Sequence, residues 1–235
     1  AHLQEKTPYS YSLDGGIDKA SWNLEYVQDA PTLDAFSDTN TGVLSWEKMN
    51  WLIKMPRAKV TGQIVINDTV MPINALGYSD TNWGELLPFL SRYEWVQFNN
   101  SEISIVSGIL YKWGRVWRTY VYAIFNNQII KFEDKTFKLL QRTWGVDKVS
   151  SIKMPTKTEF KARSNSYLLR LSFAPQVNDT VSMRISPVLP KTCVVEQVSL
   201  CQGVLEHDGK IICRFSGLGF SEYSTKTWKN TPVAL

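Results

Sequence analysis

This sequence predicts an all-β protein made of two antiparallel β units, each a barrel or sandwich, the first of them incomplete. Three observations carry that prediction. After Arg92, ten successive segments read as strands; no segment keeps a helical period; and the connections are short and rich in turn-forming residues.

The N-terminal part gives the weaker pattern. Residues 1–20 are polar and turn-rich, with Thr7-Pro8 and Asp14-Gly15-Gly16, and are expected to be irregular. Trp22–Val27 alternates apolar with polar residues and reads as a strand, whereas Asp29–Thr41, with Pro31 and several Asp and Thr, reads as a loop. Trp46, Met49, Trp51 and Ile53 lead into a strand over Arg57–Ile66. Asn67-Asp68 turns the chain, and Val70–Leu76 returns as the second arm of a hairpin.

Further on, the expected strands are Tyr93–Phe98, Ile103–Trp113, Val116–Phe125, Gln128–Glu133, Phe137–Arg142, Thr158–Arg163, Tyr167–Phe173, Val181–Ser186, Cys193–Leu200 and Lys210–Phe220. Asn126-Asn127 and Asp208-Gly209 are tight-turn pairs, because Asn, Asp and Gly tolerate the positive φ that such turns require. About four strands before residue 76 are too few to close a sheet with covered edges, while the later ones suffice for a barrel. The expected division is 1–90, the C-terminal part of a first β domain with its connection, and 91–235, a complete second domain.

Composition narrows the function classes. The 235 residues carry a net charge of +4 scattered along the chain, without the basic, aromatic-interleaved runs of a nucleic-acid binder. No apolar run is long enough for a membrane-spanning helix, and the chain opens at Ala1-His2 with no signal-peptide pattern. Nine Trp and an aromatic content of 12% suit large core residues and apolar or conjugated ligands alike. Cys193, Cys201 and Cys213 lack metal-type spacing and read as buried thiols, with a Cys201–Cys213 disulfide as the alternative. Asn67, Asn99 and Asn178 each begin an Asn-x-Ser/Thr acceptor at an apparent turn, which leans toward glycosylation and the secretory pathway.

The densest chemistry lies in Leu76-Gly77-Tyr78-Ser79-Asp80-Thr81-Asn82-Trp83-Gly84-Glu85. In an extended strand Tyr78, Asp80 and Asn82 share one face, and Ser79, Thr81 and Trp83 the other. This stretch resembles the Gly-Tyr-x-Asp-His-Asn-Trp-Gly signature of the carotenoid-hydratase and AttH-like lipocalin-related proteins. Their fungal relatives include kievitone-hydratase-like proteins and the pericyclases, or Diels–Alderases, of secondary metabolism. Met55-Pro56-Arg57-Ala58-Lys59-Val60-Thr61-Gly62 resembles the strand that precedes the signature in that family, and Gly217-Leu218-Gly219-Phe220-Ser221-Glu222 its C-terminal strand.

The resemblance implies two lipocalin-like β units with a hydrophobic small-molecule substrate in an aromatic pocket. It also implies that a processed N-terminal half or a second chain completes the first unit. The signature's usual histidines are absent, with Ser79 and Thr81 in the places flanking Asp80, which weakens imidazole acid–base chemistry and leaves shape and hydrogen bonding. The implied activity is a cofactor-independent cyclase catalysing a Diels–Alder or hetero-Diels–Alder step on a polyene, polyketide or terpenoid-derived substrate. Alternatives are a hydratase or cyclase adding water or hydroxyl across an alkene, and a lipocalin-like carrier.

Asn82, Asp80 and Tyr78 are the candidate catalytic residues. An amide donates to a developing oxyanion, and a carboxyl accepts or delivers a proton. The alternative is a purely structural hydrogen-bond network. Trp83, Trp95, Tyr111, Trp113, Trp117, Tyr120, Tyr122 and Glu222 are the candidate substrate-binding residues, each weighed against plain core packing. Glu85 reads as a surface charge. His2 is terminal and His207 borders a turn, so neither a catalytic triad nor a zinc site is expected, and no metal or cofactor is predicted.

Overall fold

The structure, a computed structural model, describes residues 2–7, 9–40, 48–85, 92–112, 115–147, 150–183 and 191–227, with the backbone alone at 36–40, 48, 49, 85, 112, 183 and 227. Fifteen strands and one 3-10 turn account for nearly all of it. The chain divides into one unit of residues 1–35 and 51–82 and another of 36–50 and 83–235.

The first sheet contains β1 (His2–Thr7), β2 (Ser10–Ile17), β3 (Ala20–Gln28), β4 (Leu33–Asn40), β5 (Lys48–Ile66) and β6 (Thr69–Glu85). Its order is β1-β2-β3-β5-β4, with β6 also on β5. Two expectations are corrected here. Residues 1–20, read as irregular, form β1 and β2; all six residues of β1 are exposed, so no apolar alternation marked it. Most of the expected loop Asp29–Thr41 is β4. The sheet thus has six strands rather than four, yet it stays open, since among the described residues β1 pairs with β2 alone.

The core of the first unit centres on Tyr11, Met55 and Ala58, against which Tyr26 packs. Arg57 is buried and holds the end of β3: its Nε donates to Asp29 Oδ2 at 3.0 Å and its Nη2 to the Asp29 carbonyl at 3.2 Å. Two glycines allow the strands to approach. A Cβ on Gly62, whose φ is +135°, would lie 2.1 Å from the Asn23 carbonyl oxygen, and one on Gly77 would lie 2.4 Å from Val60 Cγ2.

The second sheet holds β7 (Arg92–Asn99), β8 (Ile103–Lys112), β9 (Arg115–Phe125), β10 (Gln128–Phe132), β11 (Lys138–Val146), β12 (Lys153–Ser164), β13 (Tyr167–Met183), β14 (Lys191–His207) and β15 (Lys210–Thr227). Its order, β10-β9-β8-β7-β15-β14-β13-β12-β11, joins two meanders along β7 and β15. The sheet curls on itself, so inward residues of β7–β10 meet those of β12–β15 in one core that includes Phe98, Ile105, Phe160, Leu171 and Phe215. Near the open edges, Glu133 N donates to the Arg163 carbonyl at 3.0 Å.

Turns at Asn67-Asp68, Asn126-Asn127 and Asp208-Gly209 have positive φ at both positions, as the sequence predicts. The expected strand Val181–Ser186 is corrected: as far as Met183 it is the end of β13, which continues past a register shift between Pro175 and Val177. All three cysteines are free and buried. Cys201 faces Gly217 and Cys213 faces Leu205, so the two lie four ladder positions apart, about 13 Å along the strands and beyond disulfide reach. Burial pushes the Cys201 thiol up to about 12.

Candidate functional site

Strand β6 places the signature as its period requires. Tyr78 and Asp80 share a face, and Tyr78 Oη donates to Asp80 Oδ2 at 2.8 Å. The same oxygen accepts Trp51 Nε1 from β5 at 2.7 Å. One carboxylate oxygen thereby orients a phenol and an indole, all three partly or wholly buried. Asn82 is exposed, as is Trp83 at 51%, so these two offer their groups to whatever approaches β6. The Tyr78–Asp80 bond is half-buried, so Tyr78→Phe is expected to cost about 1 kcal/mol in urea denaturation without loss of fold.

In the second unit the aromatic candidates fall on two faces. Ladder pairing sets Glu222, Trp95, Gly108 and Tyr120 in one outward row across β15, β7, β8 and β9. Gly108 puts no side chain between the two rings. Tyr122 follows on the same face with Lys131 Nζ 5.9 Å from its ring centre, and Phe220 stands edge-on to Trp95 at 6.0 Å. Tyr93 Oη donates to Glu222 Oε2 at 3.2 Å. Burial pushes the Tyr120 phenol above its ordinary range.

Tyr111 is buried on the opposite, inward face. Trp117 is half-buried, with the Arg118 guanidinium 5.4 Å from its ring centre. Trp113 lies outside the described residues. Of the glycan acceptors, Asn67 is exposed in its turn and Asn99 ends β7. Asn178 sits within β13 rather than at a turn, its Nδ2 donating to Asp147 Oδ1 at 3.0 Å.

A group not singled out from the sequence lies inside the second unit. The interior is apolar toward the β8 N-terminus and polar toward the β8 C-terminus, where Glu94 is 1% exposed. Thr158 Oγ1 of β12 donates to Glu94 Oε2 at 3.1 Å. Arg142 Nη2 of β11 lies 2.8 Å from Glu94 Oε1, an ion pair bent out of hydrogen-bond geometry. The guanidinium sits over the rings of Tyr111 at 4.6 Å and Trp144 at 5.5 Å, and Tyr223 meets Trp144 edge-on at 5.7 Å. Burial outweighs Arg142 and the Thr158 hydrogen bond and pushes the Glu94 carboxyl up to about 7. The signal was present in the alternation of β7: Glu94 shares its face with Val96 and Phe98, an acid on an apolar stripe.

Two antiparallel β units, the second curled round a continuous core, define an all-β, lipocalin-like fold. Among solved structures, that of a Nitrosomonas europaea protein described as AttH matches with a TM-score of 0.69 at 12% identity, over 94% of this chain and 67% of that one. At that identity the likeness is one of fold. No protein-family model and no curated protein matches the sequence.

Proposed function

We propose that the chain is a cyclase promoting a pericyclic ring closure, Diels–Alder or hetero-Diels–Alder, on a polyene, polyketide or terpenoid-derived substrate. The observation that carries this reading is the outward row of Trp95, Gly108 and Tyr120, flanked by Tyr122 and Phe220. Aromatic rings with no side chain between them at Gly108 suit a folded, conjugated hydrocarbon. Such a reaction transfers no proton and needs no nucleophile. It needs reacting carbons held together and a hydrogen bond to the activating carbonyl.

On this reading Trp95, Tyr120 and Tyr122 hold the hydrocarbon, and Glu222, oriented by Tyr93, fixes a polar end. The fold shared with the AttH protein and the signature resemblance support the reading.

The test is product analysis with a linear polyene bearing an activated alkene, run in ¹⁸O-labelled water. A single stereoisomer of the cycloadduct without label is the expected result. Labelled product identifies a hydratase, and tight binding with an unchanged product mixture identifies a carrier; either outcome overturns the proposal.

A further inference from the structure

We propose that the polar end of the second unit's interior binds the carboxylate of an apolar, ring-bearing carboxylic acid, with Arg142 as its counter-ion and Tyr111 as hydroxyl donor. Among the described residues the unmatched groups there are Tyr111 Oη, Arg142 Nε and Arg142 Nη2 against a single unmatched acceptor, Glu94 Oε1. Ile109 and Tyr111 are successive inward residues of β8, and Ile109 faces Glu94 across the ladder. Tyr111 is 8% exposed, yet its Oη has no hydrogen-bond partner among the described residues. Arg142 Nε likewise has no acceptor there. Leaving such buried donors unmatched is unfavourable, so a group rich in acceptor oxygens is what the site lacks.

A carboxylate supplies two such oxygens in a plane that suits a guanidinium. The rings of Tyr111 and Trp144 lie against Arg142, Tyr223 meets Trp144, and Ile152 and Met154 pack with Tyr223, which favours a flat apolar body behind the head group. The groups facing Glu94 are Arg142 from β11, Thr158 from β12 and its ladder partner Tyr223 from β15. A guest carboxylate and an ionised Glu94 would compete for one guanidinium. Binding therefore favours protonated Glu94, whose O–H becomes a further donor. Since this carboxyl titrates at about 7, the affinity falls as pH rises beyond that point.

Isothermal titration of the whole chain with 2-naphthoate and with 2-naphthalenemethanol tests the site. The acid is expected to bind at least tenfold more tightly than the alcohol at pH 6, and to weaken about tenfold per unit above pH 7. Glu94→Gln should keep the preference for the acid and lose that pH dependence. The double change Glu94→Gln with Arg142→Met, which leaves no buried charge, should abolish the preference. Equal affinity for acid and alcohol, or a preference that survives the double change, overturns the proposal. Should the double variant fail to fold by circular dichroism, Tyr111→Phe decides: a severalfold loss of acid affinity supports the site, and an unchanged value refutes it.

Discussion

Glu94→Gln is expected to flatten the dependence of folding stability on pH, with a difference of about 3 kcal/mol between pH 4.5 and pH 8. The Glu94 carboxyl lies at about 7 in the folded chain against 4.5 ordinarily, so folding favours its protonated form. The stability linked to that proton is complete below pH 4.5 and is lost as pH rises through 7. At about 1.4 kcal/mol per pH unit over that interval, ionisation costs the folded state about 3 kcal/mol. Glutamine stands in for the protonated acid at every pH and still offers Arg142 a carbonyl. Urea denaturation of both proteins at pH 5 and pH 8 is the check: the variant should be near parity at pH 5 and clearly more stable at pH 8. Parallel pH profiles would mean that Glu94 titrates normally.

The second large effect is expected at Gly62. Its φ of +135° is a conformation that L side chains rarely adopt, and an added Cβ would meet backbone, the Asn23 carbonyl, at 2.1 Å. Neither obstacle can be relieved by turning a rotamer. Gly62→Ala should destabilise the chain by 3 kcal/mol or more, on the order of the most damaging single changes. At Gly77 the nearest atoms are side-chain ones, Val60 Cγ2 and Tyr26 Cε1. Gly77→Ala should therefore cost less, about 1–2 kcal/mol. Thermal unfolding of the two variants checks the order, and a milder loss at Gly62 would show that β5 can shift away from β3.

What the sequence disclosed follows from which interactions are local. Turn pairs such as Asn126-Asn127 reveal themselves because the positive φ is a property of two residues. Period-two alternation was enough to put Tyr78 and Asp80 on one face. Trp51, which completes that group, is 29 residues away in sequence from Asp80 and becomes its neighbour only through strand pairing. Strand β1 was missed because nothing on it is buried, and the far part of β13 because a register shift near Pro175 resembles a turn. Arg142 and Glu94 illustrate a different limit. Glu94 is marked by its place on the apolar face of β7, but Arg142 is an unremarkable charge in its own strand, and only the curl of the sheet makes them a buried pair.

The seam between the two meanders carries a kinetic consequence. Among the described residues every other pairing in the second sheet joins strands consecutive in the chain, whereas β7 meets β15 more than a hundred residues later, through four ladder positions, Glu94–Gln97 with Phe220–Tyr223. Closing so long a loop for so short a contact makes that union the entropic bottleneck of folding, after each meander has zipped along its own hairpins. Glu94 stands at the end of this seam, so protonation of one carboxyl bears on how fast the two halves come together.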